Sequence, residues 1–217
     1  MSTETLAKPR LRGVLHQWAA PVALGGGILL VVLAPDLRAA LAGGVFTLSL
    51  LVLFTVSATY HRVTWQPGAR AWMRRADHAS IFVLIAGTWT PIALLGLPAG
   101  AGISVCRVVW GGAVLGVLIS LFWAHAPKAL TTALCVACGW SIVPYFSLLR
   151  RSLTTVELGL IFGGGLAYTL GALVYATRRF DLKPQTFGYH EVFHAFTLAG
   201  AAQHFGAVLC LVRAGAQ

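Results

Sequence analysis

Two histidines one helical turn apart, His190 and His194 in the run His190-Glu191-Val192-Phe193-His194, open the last long apolar stretch of the chain. At i and i+4 both imidazoles project from one helix face, the spacing a single metal ion requires of two ligands on one helix. Ionisable groups within or at the ends of membrane helices are costly and carry function by default, so the chemistry turns on what completes this pair.

The elements that must complete it are membrane spans. Of the residues, 58% are hydrophobic and only 10% are charged, the composition of an integral membrane protein. Seven apolar stretches approach the ~20 residues that cross a bilayer as helix. They fall at about 16 to 34, 39 to 61, 77 to 97, 102 to 124, 128 to 149, 156 to 177 and 189 to 213, giving an all-α domain of seven transmembrane helices over 16–213. Turn and charge clusters separate them, among them Ala34-Pro35-Asp36, the basic stretch from Arg62 to Arg75, and Arg178 to Pro184. Residues 1–15 read as a short polar and basic cytosolic tail, followed by a first helix that is retained because no small-residue cleavage site is evident.

Orientation follows from the basic residues. The tail (Lys8, Arg10, Arg12), the second loop (Arg62, Arg70, Arg74, Arg75), Lys128 and the sixth loop (Arg178, Arg179, Lys183) outnumber Arg38, Arg107, Arg150, Arg151 and Arg213 on the other side. The positive-inside rule then places the N-terminus in the cytosol and the C-terminus outside, in the plasma or inner membrane. The net charge of +10 is on this reading mostly a topology signal. It favours anionic inner-leaflet lipid as a contact. Nucleic acid is not expected as a partner, because the basic residues are spread over short juxtamembrane loops without a recognition motif.

With helices alternating in direction, the second ends on the cytosolic side at His61, the third begins there at Asp77, and the seventh begins there with His190 and His194. Four candidate groups therefore share one depth. Three neutral imidazoles with an open fourth position form a catalytic zinc arrangement, and a nearby carboxylate can orient or deprotonate water there. Ser57 lies one turn from His61 on the same face and can bond that water, the carboxylate or a polar substrate group. The competing interpretation is that these histidines are hydrated at the membrane edge and bind nothing.

The segments Ser57-Ala58-Thr59-Tyr60-His61-Arg62, Asp77-His78-Ala79-Ser80 through Gly87-Thr88-Trp89-Thr90-Pro91, and His190-Glu191-Val192-Phe193-His194 resemble the hemolysin III branch of the progestin and adipoQ receptor superfamily. The resemblance implies a zinc ion held by His61, His190 and His194, Asp77 in contact with water at the zinc, and Ser57 in the same site. It also implies an activity like that of the related alkaline ceramidases, lipid amide hydrolysis. The chain lacks a long N-terminal cytosolic domain, so hormone-receptor behaviour is not expected.

The string His-Glu-x-x-His also matches a zincin protease motif with Glu191 as general base. That reading lacks a third ligand: no acid follows Glu191, and Thr197 and Gly200 stand where the longer motif has Gly and His. Glu191 is instead expected about 100° from the ligand face, as a first-turn carboxylate favoured by the helix dipole. Cys135 and Cys138 read as core packing, and pairing of Cys106 with Cys210 is left open. His204 lies about 15 Å of helix beyond His194, too far to share its ion. His16 and His125 are expected at helix ends in the interface. Pro91 and Pro144 are expected to kink the third and fifth helices, and Gly112 with Gly116 and Gly159 with Gly163 suit close helix contact.

Two functions from different classes use this site. The first is a zinc-dependent hydrolase of a lipid amide or ester, with Asp77 and Ser57 as catalytic residues, His61, His190 and His194 as ligands, and acyl chains lying between helices. The second is a non-catalytic sensor or regulator of membrane lipid composition in which zinc fixes the helices. A cytolytic pore-former ranks last, because no amphipathic lytic segment is present.

Overall fold

A computed structural model describes residues 9–123 and 125–215; residues 1–8 of the expected tail, including Lys8, lie outside the described residues. The described chain is all-helical apart from one isolated bridge between Lys183 and Phe187, and seven of its helical stretches are long and apolar enough to cross a membrane. The helices are α1 (Val14–Leu33), α2 (Leu37–Arg62), α3 (Pro67–Gly96), α4 (Ala99–Phe122), α5 (Lys128–Gly139), α6 (Phe146–Ser152), α7 (Thr155–Thr177) and α8 (Tyr189–Ala214). Sequence-adjacent spans pack side by side, α8 closes back onto α1, and α3 sits centrally against α2, α4, α5 and α8. Large side chains such as Val22, Val32, Leu48, Val114, Leu166 and Leu173 face outward, which is the expected outer surface when the solvent is lipid.

Local sequence sets where three of the helices start. Asp36 accepts from the Ala39 N–H at 2.8 Å and caps α2. Thr154 and Glu157 form a reciprocal capping box that starts α7. Pro67 stands in the first turn of α3, where its missing N–H is harmless. The third span accordingly starts at Pro67 and not near residue 77. Most of the basic stretch is helix, leaving only Val63–Gln66 between α2 and α3. Its arginines hide the helix from hydropathy without opposing helix formation.

The two prolines expected to kink helices, Pro91 and Pro144, behave differently. α3 runs through Pro91 without interruption. The fifth span breaks between α5 and α6, with a 3₁₀ turn at Val143–Tyr145 that contains Pro144. One carbonyl freed at the break is satisfied by a side chain, as Trp89 Nε1 donates to the Gly139 carbonyl at 3.2 Å, while Trp140 Nε1 ties the broken segment to α7 by donating to Thr169 Oγ1 at 2.9 Å. Gly116 lets α4 approach α3, because a Cβ there would overlap the buried Phe82 ring. Gly159 faces open space, so this half of the second glycine pair makes no helix contact.

The ends of the bundle are defined by contacts. Gly13 lies against His61 and Arg62, while Gly215 lies against Pro35 and Asp36. The start of α1, the end of α2, the start of α3 and the start of α8 therefore share one end, and the described C-terminus lies at the other.

Candidate metal centre and its cavity

At that shared end the last turn of α2 brings His61 against the first turns of α8. His61 Nε2 lies 3.1 Å from His190 Nε2, and one ring nitrogen from each of His61, His190 and His194 falls within 4.8 Å of the others. His61 and His194 are buried, and His190 is half-buried. Four bonds of about 2.0–2.1 Å in a tetrahedron imply nitrogens roughly 3.3 Å apart, close to the His61–His190 separation. Borderline imidazole donors from two helices, shielded from water and converging on one point, fit a divalent transition metal.

α3 supplies the acid. The Asp77 carboxylate lies 3.8 Å from His61 Nε2, and its carboxyl group is engaged by the Ser57 side chain, one turn before His61 on α2. The structure thus brings together all five residues that the sequence singled out.

It adds one that the sequence placed elsewhere. His16, expected in the interface, is 2% exposed and stacks on His194, with ring centroids 3.9 Å apart and planes at 9°. Phe54 also packs against the His16 ring, with centroids 5.1 Å apart and planes at 48°. The ring acts as a flat wall that restricts rotation of the His194 imidazole. Nothing in the sequence marks it, because stacking between α1 and α8 has no periodicity to read. His125 is exposed, and His204 is buried with Nε2 3.0 Å from the Ile161 carbonyl.

Glu191 is committed to structure. It is fully buried, accepts from the Gly188 N–H at 2.8 Å, and pairs with Arg12. Arg12 belongs to a segment held on the loop before α8, with Arg10 N–H donating to Gln185 O at 3.0 Å and Leu11 N–H to Thr186 O at 3.2 Å. This segment turns into α1 at Gly13, whose φ of 79° and proximity to His61 both exclude a side chain. Both Glu191 oxygens are therefore occupied, and the residue does not line the cavity described next. The protease assignment of this carboxylate has no support in the geometry.

A cavity of about 430 Å³ opens from the cluster into the bundle. One stripe of α3 follows it, from Arg74 and Arg75 past Asp77, His78, Ile81, Leu84, Ile85 and Thr88 to Trp89. At 1.5 Å per residue this lane is about 22 Å long. Leu53, Ile161, Phe162 and Phe193 make its walls apolar, and Tyr175, His190 and His194 border it near the histidine cluster. The break after α5 borders the cavity, with Gly139 and Trp140 in its wall.

Seven membrane-crossing helices around a three-histidine centre, with an acid beside it and an apolar cavity leading inward, define a multi-pass membrane protein with a buried site able to hold a metal ion. The chain belongs to the haemolysin-III related family, whose model matches residues 4–205, within the hemolysin III branch of the progestin and adipoQ receptor superfamily. It is similar to a hemolysin-3 homolog of Bacillus subtilis (strain 168), 30% identical over 165 residues covering 76% of this chain and 74% of that protein. It is also similar to hemolysin-3 of Bacillus cereus, 25% identical over 213 residues covering 97% of this chain and 94% of that protein.

Proposed function

We propose that this protein is a zinc-dependent hydrolase of a membrane lipid amide or ester. The observation that carries the reading is the placement of three histidines and a carboxylate at one end of a long apolar cavity. His61, His190 and His194 would hold the ion, and three imidazoles suit zinc. Zinc bound there supplies Lewis-acid chemistry, polarising a carbonyl and making water a nucleophile near neutral pH.

The remaining work falls to the chain. Asp77 accepts the proton of the attacking water and returns it to the leaving amine or alcohol. Ser57 keeps the carboxyl group turned toward His61. His16 holds the His194 ring in plane. The lane along α3 aligns one acyl chain, since its ~22 Å exceeds the ~15 Å that one leaflet contributes to the hydrocarbon core. Its apolar walls also exclude bulk water, which strengthens every charge interaction at the mouth.

We place the histidine end at the cytosolic face of the cell membrane, because the basic residues cluster there. The decisive experiment incubates purified zinc-loaded protein with total membrane lipid and measures released fatty acid. Release that disappears in the Asp77→Asn variant supports hydrolysis. A zinc-replete protein that releases nothing from any lipid class contradicts it and favours a sensor of lipid composition built on the same site.

A further inference from the structure

The hydrolase reading leaves the two arginines of the cavity unused. Arg74 and Arg75 line its mouth one helical turn before Asp77 and His78. Basic residues at this end serve topology in general, and for that role a guanidinium would reach into solvent. Arg74 is exposed, and Arg75 is held more firmly. It is half-buried, its guanidinium lies over the Trp72 ring at 4.6 Å, and its Nε is buried without a hydrogen-bond partner. Among the described residues neither Arg74 nor Arg75 forms an ion pair. Three nearby acids are engaged elsewhere: Glu191 by Arg12, Asp181 by the Tyr189 N–H, and Asp77 by His61 and Ser57. Two guanidiniums without an acid partner at the entrance of a lipid-sized cavity, one resting on an aromatic ring, are placed to receive an anion from outside the chain.

We propose that Arg74 and Arg75 form a subsite for the phosphate of an anionic lipid whose acyl chain occupies the cavity. This rests on the reading of the cavity as an acyl-chain site and names the substrate class. The spacing supports a phospholipid. In a glycerophospholipid the ester carbonyl and the phosphorus are separated by an ester oxygen, the intervening glycerol carbons and the phosphoester oxygen, a span comparable to one helix pitch of about 5.4 Å. A carbonyl at Asp77 and the histidines therefore places the phosphate one turn away, at the two arginines. The planar guanidinium forks suit phosphate oxygens, and the low dielectric at the mouth strengthens the contact.

The test measures binding, so it is independent of turnover. Purified full-length protein in a non-ionic detergent is presented with phosphatidylglycerol and with diacylglycerol of identical chains, and retained lipid is counted by native mass spectrometry. Inorganic phosphate is included as a competitor in a parallel series. Wild-type protein is expected to retain phosphatidylglycerol over diacylglycerol by about tenfold or more, the equivalent of one charged hydrogen bond. The Arg74→Gln/Arg75→Gln double variant should lose that preference and still retain diacylglycerol. Arg70→Gln, one turn further out, exposed and off the cavity, should keep it. A preference unchanged in the double variant, or lost equally in Arg70→Gln, overturns the subsite in favour of diffuse surface charge. Equal retention of both lipids with binding of inorganic phosphate alone overturns the lipid assignment of the anion. Retention of neither lipid overturns the acyl-chain reading itself. Circular dichroism and zinc content of each variant confirm that the bundle is intact.

Discussion

Glu191 provides a sharp test because two accounts of the same motif assign it opposite roles. In the structure it caps α8 through the Gly188 N–H and pairs with Arg12, and the side chain is 1% exposed against 21% for Arg12. Glu191→Ala removes both contacts. A lost cap contributes about 0.5–2 kcal/mol, and removing one partner of a fully buried pair costs about 3–5 kcal/mol. Arg12 is part-exposed and can rehydrate, which lowers the second figure, so a net loss of about 2–4 kcal/mol is expected. At roughly 2–4 °C per kcal/mol for a chain of this size, the thermal midpoint in detergent should fall by about 5–15 °C. Glu191→Gln keeps a cap acceptor and loses only the charge, so it should fall less while retaining metal and product release within about twofold of the parent. Scanning fluorimetry, metal analysis and lipid hydrolysis on the three proteins decide the matter. An Ala variant as stable as the parent would refute the latch. A Gln variant that keeps metal but releases no product would make Glu191 the base.

Asp77→Asn should retain the metal and lower product release by on the order of 10² or more, as expected for loss of a general base; unchanged release would remove Asp77 from the chemistry. Gly13→Ala should lower both stability and metal affinity, since a left-handed non-glycine residue costs about 1–2 kcal/mol and its Cβ would meet His61 Cβ at 2.6 Å. Normal metal content at normal stability would show that the entry turn does not position His61. A reporter active only in the cytosol should be silent when fused after Gln217 and active when inserted between Arg178 and Lys183; the reverse pattern would invert the topology.

Much of the candidate site was legible because it follows from two periodicities. The i, i+4 spacing put His190 and His194 on one face, and the alternation of spans carried His61 and Asp77 to the same end. Ser57 followed from its position one turn from His61. What was hidden depends on contacts between distant segments. His16 looked interfacial from its place at the start of the first span, yet α8 packs over it. The Arg12–Glu191 pair joins residues 179 positions apart and leaves no local pattern. Hydropathy missed the start of α3 because arginines are good helix formers that do not register as span. The interruption after Gly139 was signalled by Pro144, but the indoles that hold it, Trp89 on the Gly139 carbonyl and Trp140 on Thr169, read only as apolar bulk.

The central claim is that His61, His190 and His194 together hold one metal ion. Metal content of the purified protein, read by inductively coupled plasma mass spectrometry beside the His61→Ala, His190→Ala and His194→Ala variants, tests it most directly. The account predicts about one zinc per chain in the parent and loss of most of it in each variant. Full occupancy in the His61→Ala protein, or no metal in a parent purified without chelator, would contradict it.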